Sequence, residues 1–300
     1  MRKFIKEKIS IIIPTFNEEN NIVILIDEII SEMTDKNYEI IIVDDGSTDL
    51  TVNNILEKFN KNEKVKPLQR QNDKGLVQSI KFGLQSMTGE YFVVMDGDRQ
   101  HSASEINYLV NELKTNDLVI GVRNLKELDV ILAKRLFLSK FFNKFLQFIL
   151  STNISDPLTG FFAGKVSLLN KKFFLLSNSG FKVLLDLIFS NKKKNIKIAE
   201  KEIKFESRIE GTSKLNSQVA FSFITQVLSY MFNGIISSRF IGFTIIGGIG
   251  FIFHFSILFS MYYLADTSFY ISHLLATLFT ATINFLANNY LNFYDNHANS

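Results

Sequence analysis

Two aspartates one residue apart dominate the chemistry that this sequence can do. Asp96 and Asp98 lie in "VVMDGDRQH" (93–101), directly after a run of apolar side chains. Alternate residues of an extended segment point to opposite sides, so we expect Gly97 to permit a turn that brings both carboxylates to one site. A hard divalent cation such as Mg²⁺ or Mn²⁺ offsets their repulsion and keeps positions open for phosphate oxygens. An isolated pair of this kind also fits a solvated turn.

A second acidic motif ends another apolar run. The stretch "IIVDDGSTD" (41–49) places Asp44 and Asp45 where their carboxylates can accept hydrogen bonds from a nucleobase or a ribose. The same stretch also fits a local role, because Ser47 or Thr48 can cap the helix that follows. The motif alone leaves both interpretations open.

Two more motifs place polar groups near predicted helix starts. In "PTFNEENNI" (14–22), Pro14 ends the first strand and Glu18 is either a helix cap or a ligand. In "RQNDKGLVQSI" (70–80), Lys74 lies at a helix N-terminus, which is a favourable place for a phosphate group. The four motifs together fit a site for a phosphorylated ligand.

The elements that must position these motifs alternate between strand and helix. Short runs rich in Ile and Val predict strands buried on both faces, at 8–14, 38–45, 90–96 and 117–122. Helical patterns follow these strands, at 18–33, about 48–60, 75–87 and 103–115. The alternation predicts an α/β fold with a doubly wound, mainly parallel sheet, whose ligands bind beyond the carboxyl ends of the strands. All the acidic motifs fall at those ends.

Composition narrows the function further. The chain has 33 basic and 30 acidic residues, so we expect no nucleic acid as a partner. It has no cysteine, which excludes disulfides and thiolate metal sites, and its 4 histidines lie too far apart in sequence to suggest a zinc cluster. A metal ion would therefore have to be held by oxygen atoms.

The C-terminal part predicts a transmembrane helical hairpin. Residues 240–265 carry no charge over a length that, at ~1.5 Å per residue, exceeds the ~30 Å hydrocarbon core, and 269–293 form a second span. Arg239 precedes the first span and the loop around Asp266 has no Lys or Arg, so the positive-inside rule places the globular part in the cytoplasm. The start of the chain does not read as a cleaved signal peptide. We expect a multi-pass protein of the cell (inner) membrane.

Two segments before the hairpin have ambiguous patterns. Over 128–150, Lys and Arg recur among Phe, Leu and Ile at helical intervals, which fits an interfacial helix or a core helix with a basic outer face. The apolar segment 217–236 is interrupted by Gln and Asn, which favours an amphipathic helix leading into the membrane over a third span.

The order of these motifs resembles the family 2 glycosyltransferases of GT-A fold. Within them it is similar to the dolichol-phosphate mannose synthase-like branch, the polyprenyl-phosphate glycosyltransferases. The stretch "DGDRQH" (96–101) resembles that branch's DADLQHP, and "SDPLTGFFAGK" (155–165) its DPxSGF. Likewise "GFKVLLDLI" (180–188) resembles GYKxLLEL, and "IKFESRIEGTSKLN" (203–216) resembles FxxRxxGxSKL. The resemblance covers about residues 8–218.

The resemblance implies a role for each matching residue. Together with Lys74, the residues that would bind the nucleotide-diphosphate sugar are Pro14, Glu18, Asp44, Asp45, Asp96 and Gln100. The ligands of Mg²⁺ or Mn²⁺ would be Asp96, Asp98 and Gln100. Catalysis would depend on Asp98, Arg208 and Lys214, the last two closing over the phosphates. The acceptor phosphate would lie near Arg123, Arg135, Asp156 and Thr159.

The implied reaction is inverting transfer of a hexose to polyprenyl or dolichyl phosphate, with mannose from GDP-mannose favoured by the resemblance. A lipid monophosphate is already an anion near neutral pH, so it can attack the anomeric carbon without a general base. It needs positive charge to hold two anionic reactants together. The chain has no Trp and therefore lacks the QxxRW motif of processive polysaccharide synthases. A lipid-sugar flippase or transferase would act downstream.

Other functions stay open at this point. One is transfer of glucose or N-acetylglucosamine from a UDP-sugar to the same lipid, and another is transfer to a soluble glycan or a different carrier lipid. A non-catalytic lipid-sugar translocase or scaffold is a third. The acidic pair alone would also fit a phosphate-accepting signalling domain, but such a domain needs neither the later basic motif nor a membrane hairpin.

The membrane part also resembles a known family. The stretches "RFIGFTIIGGIGFIFHF" (239–255) and "ATINFLANNYLNF" (281–293) are similar to the first half of the four-helix GtrA-like membrane proteins. His254 or Asn284 would line a polar path or form hydrogen bonds between helices. We therefore expect three regions, a GT-A domain over 1–218, an amphipathic connecting helix over 219–238 and a two-helix membrane region over 239–300.

Overall fold

A computed structural model describes residues 5–71, 74–123, 154–156, 159–176, 183–203 and 217–292 of this 300-residue chain. They belong to two compact units, of which the first ends at Ile203 and the second runs from Ser217 to Asn292. The predicted helix over 128–150 lies outside the described residues.

The first unit is built around one sheet of seven described strands. They are β1 (Ile5–Thr15), β2 (Tyr38–Asp44), β3 (Val65–Gln69), β4 (Gly89–Val94), β5 (Leu118–Arg123), β6 (Phe162–Lys165) and β7 (Ile198–Ile203). Their order across the sheet is β3-β2-β1-β4-β6-β5-β7. Only β6 is antiparallel to its neighbours, β4 and β5, while the other pairings are parallel. The predicted doubly wound, mainly parallel sheet is confirmed.

This strand order brings the polar motifs to one edge. The carboxyl ends of β2, β1 and β4 lie side by side, and β6 begins at the same edge because it runs the other way. The residues that follow or precede these strand ends are therefore neighbours in space although they are far apart in sequence. This carboxyl edge carries the candidate site.

The helices of the first unit cover the sheet and bury its side chains. They are α1 (Ile22–Glu32), α2 (Thr51–Phe59), α3 (Leu76–Ser86), α4 (Ser104–Glu112), α5 (Lys171–Leu175) and α6 (Val183–Ser190). Every residue of β2 is buried, and β1 is buried from Ile9 to its end. Burial on both faces explains why these strands read as continuous apolar runs rather than alternating ones.

The buried carboxylate of Glu39 connects neighbouring strands near the opposite edge of the sheet, where the parallel strands begin. The Glu39 side chain is 1% exposed and accepts hydrogen bonds from Ser10 Oγ at 2.6 Å, Lys66 Nζ at 2.7 Å and the backbone N of Thr88 at 2.6 Å. Burial raises the pKa of Glu39, but these hydrogen bonds outweigh it and lower the pKa from 4.5 to about 2. The ionised carboxylate therefore stabilises the contacts between β1, β2 and β4.

We expect the stabilising effect of Glu39 to depend on pH. Its folded-state pKa lies below the unfolded value, so its contribution of roughly 3 kcal/mol is present above about pH 4.5 and is lost as the pH falls toward 2. Urea unfolding of the detergent-solubilised protein should show Glu39→Gln to be less stable than wild type at pH 7, with a smaller difference at pH 3.5. An equal difference at both pH values would contradict this explanation.

The second unit consists of three described helices. They are α7 (Ser217–Met231), α8 (Ser238–Phe259) and α9 (Phe269–Ala287), and single π-helical turns extend α8 to Leu264 and α9 to Asn292. With these extensions the last two helices have 27 and 24 residues and are long and apolar enough to cross a membrane. Helices α8 and α9 pack against each other. The predicted pair of apolar helices is confirmed in length and position.

Polar side chains lie between the helices of this hairpin. Asn292 Nδ2 donates a hydrogen bond to the backbone O of Arg239 at 2.9 Å, which joins the two helix ends. The rings of His254 and His273 lie 5.2 Å apart. A groove of about 350 Å³ is lined by His254 and Asn284 among other residues. Hydrogen bonding between the helices thus involves Asn292, while His254 and Asn284 face the groove.

Candidate functional site

The carboxylate turn follows β4 at the carboxyl edge. Met95 N donates to Ile12 O at 3.1 Å, which keeps the end of β4 beside β1. Asp98 Oδ1 then accepts a hydrogen bond from Gln100 N at 3.1 Å, so the chain closes into a short turn over residues 96–100. The turn carries all three predicted metal ligands.

Gly97 lies within this turn, at the position where the sequence predicts the backbone to bend. Gly97 does not adopt a left-handed conformation, whereas Arg99 has a φ of +59°. A side chain in that region costs roughly 1–2 kcal/mol. The ion pair between Arg99 Nη2 and Glu28 Oε1 of α1, at 2.6 Å, offsets part of this cost. Arg99 thus anchors the turn to α1.

We expect the Arg99→Leu variant to leave the Michaelis constant for the sugar donor within about 3-fold of wild type. The half-exposed ion pair that it removes contributes at most about 1 kcal/mol to stability. Arg99→Gly is the matched control, because glycine adopts the same φ without cost. Steady-state kinetics of the three proteins would check this expectation, and a 10-fold rise for both variants would show that the guanidinium contacts the donor.

Asp44, the last residue of β2, accepts hydrogen bonds from the loop that follows the strand. Asp44 is 3% exposed, and its carboxylate accepts hydrogen bonds from the backbone N of Gly46 and of Ser47, both at 3.0 Å. It also accepts one from the Ser47 hydroxyl. The alternative in which Ser47 or Thr48 caps the next helix is wrong, because α2 begins at Thr51 with Leu50 as its N-cap. Asp44 therefore fixes the conformation of a loop that a nucleoside bound at this edge would contact.

Asp45 is held between a cation and a helix start. Its Oδ1 accepts from Arg70 Nη1 at 2.9 Å, and its Oδ2 accepts from the backbone N of Gly75, the N-cap of α3. The sequence motifs did not single out Arg70, which is 9% exposed and also contacts Ser79 Oγ at 3.1 Å. Lys74 lies in the same place, since its Nζ would be 2.6 Å from a Cβ at Gly46. A carboxylate and two cations thus meet between β2 and α3.

Residues after β1 join the same surface. Glu18 N donates to Thr51 Oγ1 at 2.8 Å, and Glu18 Oε2 accepts from Asn21 Nδ2 at 2.8 Å. Helix α1 begins only at Ile22, so Glu18 lies in the loop before it and is not its N-cap. Burial raises the pKa of the nearby Asp49, but hydrogen bonds from Thr51 outweigh it and lower the pKa. The loops after β1 and β2 therefore form one hydrogen-bonded surface.

Pro14 is part of the β1 strand itself. It is buried and lies in register with Val43 of β2. Pro14 therefore belongs to the sheet at its carboxyl edge, as the sequence predicts.

The predicted acceptor-side residues lie partly within the described chain. Thr159 is 5% exposed and precedes β6, where its Oγ1 accepts from Phe161 N at 3.2 Å. Asp156 is described, and Ser155 N beside it donates to Glu200 Oε1 of β7 at 2.5 Å. Arg123 ends β5. Arg135, Arg208 and Lys214 lie outside the described residues.

The chemistry of the carboxylate turn fits a divalent cation. Among the described residues, no group of three or more His, Cys, Asp or Glu side chains could hold a metal ion. Mg²⁺, however, is usually bound by one or two carboxylates together with substrate phosphates rather than by a full protein cage. Asp96 and Asp98 on one short turn, with the amide oxygen of Gln100, would be that smaller set.

Comparison with known proteins identifies the family. The family model described as "Glycosyl transferase family 2" matches residues 10–173. A dolichol-phosphate mannosyltransferase of Pyrococcus furiosus is 32% identical over 256 residues, which are 80% of this chain and 68% of the relative. A dolichol-phosphate mannosyltransferase of Saccharomyces cerevisiae is 27% identical, over 73% of this chain and 85% of the relative.

Solved structures show the same fold. Glucosyl-3-phosphoglycerate synthase from Mycobacterium tuberculosis in complex with Mn²⁺, UDP and glucosyl-3-phosphoglycerate superposes with a TM-score of 0.57 at 21% identity, over 74% of this chain and 79% of that one. The same enzyme with Mg²⁺ and UDP gives 0.58 at 20% identity, with the same coverage. The expected GT-A fold is confirmed. The chain belongs to glycosyl transferase family 2 and is a glycosyltransferase similar to the dolichol-phosphate mannosyltransferases.

Proposed function

We propose that this protein transfers mannose from GDP-mannose to a polyprenyl phosphate such as dolichyl phosphate, with inversion at the anomeric carbon. The observation that carries the proposal is the position of the carboxylate turn. It lies at the carboxyl edge between the loops after β1 and β2 and the Thr159 loop before β6. A donor and an acceptor can therefore meet over Asp96 and Asp98.

The donor side would use the surface after β1 and β2. The nucleoside would lie over Pro14, Glu18, Asp44 and Asp45, whose loops are already fixed by hydrogen bonds. Lys74, at the start of α3, would contact the diphosphate, since a helix N-terminus favours anions. These hydrogen bonds restrict the loops, which limits the ordering cost when the donor binds.

The diphosphate would be bound at the carboxylate turn. Asp96, Asp98 and Gln100 would hold Mg²⁺ or Mn²⁺, and the bound ion would offset the charge of the leaving diphosphate. The fold relative from Mycobacterium was crystallised with each of these ions. Arg208 and Lys214 would add further positive charge over the phosphates.

The reaction itself needs one displacement. An oxygen of the lipid phosphate forms a bond to the anomeric carbon while the bond from that carbon to the diphosphate breaks, and GDP leaves with the electron pair. No proton has to be removed from the attacking phosphate, which is already an anion. Arg123, Arg135, Asp156 and Thr159 would position that phosphate.

The apolar hairpin would place the enzyme where its lipid substrate is. Two helices that are long enough to cross a membrane fit a multi-pass protein of the cell membrane with a cytoplasmic catalytic domain. The domain limits proposed here remain 1–218, 219–238 and 239–300. The lipid-sugar product would then be available to a membrane-bound flippase or transferase.

A donor panel tests this function. Purified protein with Mg²⁺ or Mn²⁺ is incubated with one polyprenyl phosphate and with GDP-mannose, UDP-glucose or UDP-N-acetylglucosamine, and the lipid product is identified by its mass. We expect a hexosyl lipid from GDP-mannose and loss of turnover in EDTA. Product from a UDP-sugar alone would correct the donor, and no lipid product from any donor would refute the function.

A further inference from the structure

A glycine in the loop before β6 lies directly against a predicted metal ligand. A Cβ built on Gly160 would be 2.3 Å from Asp96 Oδ2, 2.8 Å from Asp96 Cγ and 2.9 Å from Asp96 Oδ1. Real Cβ atoms do not approach other heavy atoms this closely. All three of these nearest atoms belong to one carboxylate, so the carboxylate occupies the space that any side chain at residue 160 would need.

The backbone that follows Gly160 is held in place. Before Gly160, Thr159 is buried and accepts the hydrogen bond from Phe161 N. After it, Phe161 is fully buried, its backbone O accepts from Gly121 N at 3.0 Å, and its ring stacks on His101 with the centroids 4.9 Å apart. The loop is therefore fixed both to the sheet and to the segment that follows the carboxylate turn.

The backbone that carries Asp96 is equally fixed. It leaves β4, which is paired with β1 on one side and with β6 on the other, and Val94 lies opposite Phe162. A methyl group added at residue 160 can therefore be accommodated mainly by rotation of the Asp96 side chain. This rotation costs little stability, but it moves the carboxylate away from its position in the turn.

We propose that Gly160 is a positioning residue that sets the orientation of the Asp96 carboxylate for the metal ion, and that this contact links the acceptor-side loop to the donor site. The proposal rests on the proposed function, since it takes Asp96 to be a metal ligand. It explains why a glycine is needed here although its φ lies outside the left-handed region, because the requirement is space rather than backbone freedom.

Direct metal binding is the test. Mn²⁺ binding to the full-length protein in detergent is measured by electron paramagnetic resonance with GDP present, for wild type, Gly160→Ala and Gly248→Ala. Gly248 is the matched control, because a Cβ there meets no atom within 4 Å. We expect the Kd for Mn²⁺ to rise about 10- to 100-fold in Gly160→Ala, the range typical when the support of a metal ligand is disturbed. Gly248→Ala should bind Mn²⁺ like wild type.

Thermal unfolding distinguishes two causes of weaker Mn²⁺ binding, a reoriented Asp96 carboxylate and a destabilised fold. We expect the Tm of Gly160→Ala to stay within about 4 °C of wild type, which corresponds to roughly 1 kcal/mol in a domain of this size. Unchanged Mn²⁺ affinity, or a large fall in Tm, would overturn the role of Gly160 and leave the proposed function intact. If wild type itself binds no Mn²⁺ with GDP present, the metal site fails and the role of Gly160 fails with it.

Discussion

The Asp98→Asn variant is expected to lose at least about 100-fold in the rate of sugar transfer while it keeps the fold. The substitution preserves shape but removes one of the two negative charges that the carboxylate turn offers to a divalent cation. With one carboxylate fewer, the turn would bind a hard cation more weakly. The effect should appear in kcat/KM for the donor, because the metal and the donor diphosphate are proposed to bind together.

The matched control for this change is Asp27→Asn. Asp27 is a half-exposed carboxylate of α1 that pairs with Lys58 at the surface, so the same loss of charge there should leave turnover unchanged. Radiolabelled transfer assays over a range of Mg²⁺ and Mn²⁺ concentrations would compare the two variants. Full activity of Asp98→Asn at limiting metal would show that Asp98 is not a ligand.

The largest effect on stability is expected from Lys81→Met. Lys81 of α3 is buried, and its Nζ lies 3.2 Å from Asp186 Oδ2 of α6 and donates to Leu176 O at 3.0 Å. Its ammonium also lies 5.3 Å from the centre of the Phe173 ring. Asp186 is only 2% exposed, so the substitution removes the Lys81 ammonium from beside a buried carboxylate. Such a loss typically costs about 3–5 kcal/mol.

A double variant separates the charge from the packing. In Lys81→Met with Asp186→Leu both charges are replaced by apolar groups of similar size, which is often nearly neutral for stability. We therefore expect urea unfolding to show a large loss for the single variant and recovery of most of it in the double variant. A loss below about 1 kcal/mol in Lys81→Met would show that the pair contributes little.

The strands that the sequence predicts well are those whose burial is complete. The runs 8–14, 38–45, 90–96 and 117–122 all became strands, because Ile and Val fill both faces of the sheet. Strands β3, β6 and β7 lack such a run: β3 contains Pro67, β6 has four residues, and β7 has charged residues at its centre. Their position depends on pairing with neighbours that are distant in sequence, which local patterns do not record.

In the candidate site, too, the sequence predicts what depends on local patterns and misses what depends on contacts between distant segments. In a mainly parallel sheet, residues at the carboxyl ends of the strands lie at one edge, which predicts that Asp44, Asp45 and Asp96 are neighbours. The structure places them at that edge. The contacts that orient them join distant segments: Arg70 with Asp45, Arg99 with Glu28, and Gly160 with Asp96. The sequence does not predict that the left-handed residue of the turn is Arg99, whose conformation is stabilised by a partner 71 residues away.

The stereochemistry of the lipid product tests the central claim most directly. If an oxygen of the polyprenyl phosphate displaces GDP from the α-linked donor in a single step, the product must be the β-linked mannosyl phosphate. Nuclear magnetic resonance of the purified product, from GDP-mannose and a short polyprenyl phosphate with Mg²⁺ or Mn²⁺, resolves the two anomers. We expect only the β anomer, formed by wild type and not by Asp98→Asn. An α-linked product would contradict direct attack by the lipid phosphate, and no mannosyl lipid at all would contradict the proposed function itself.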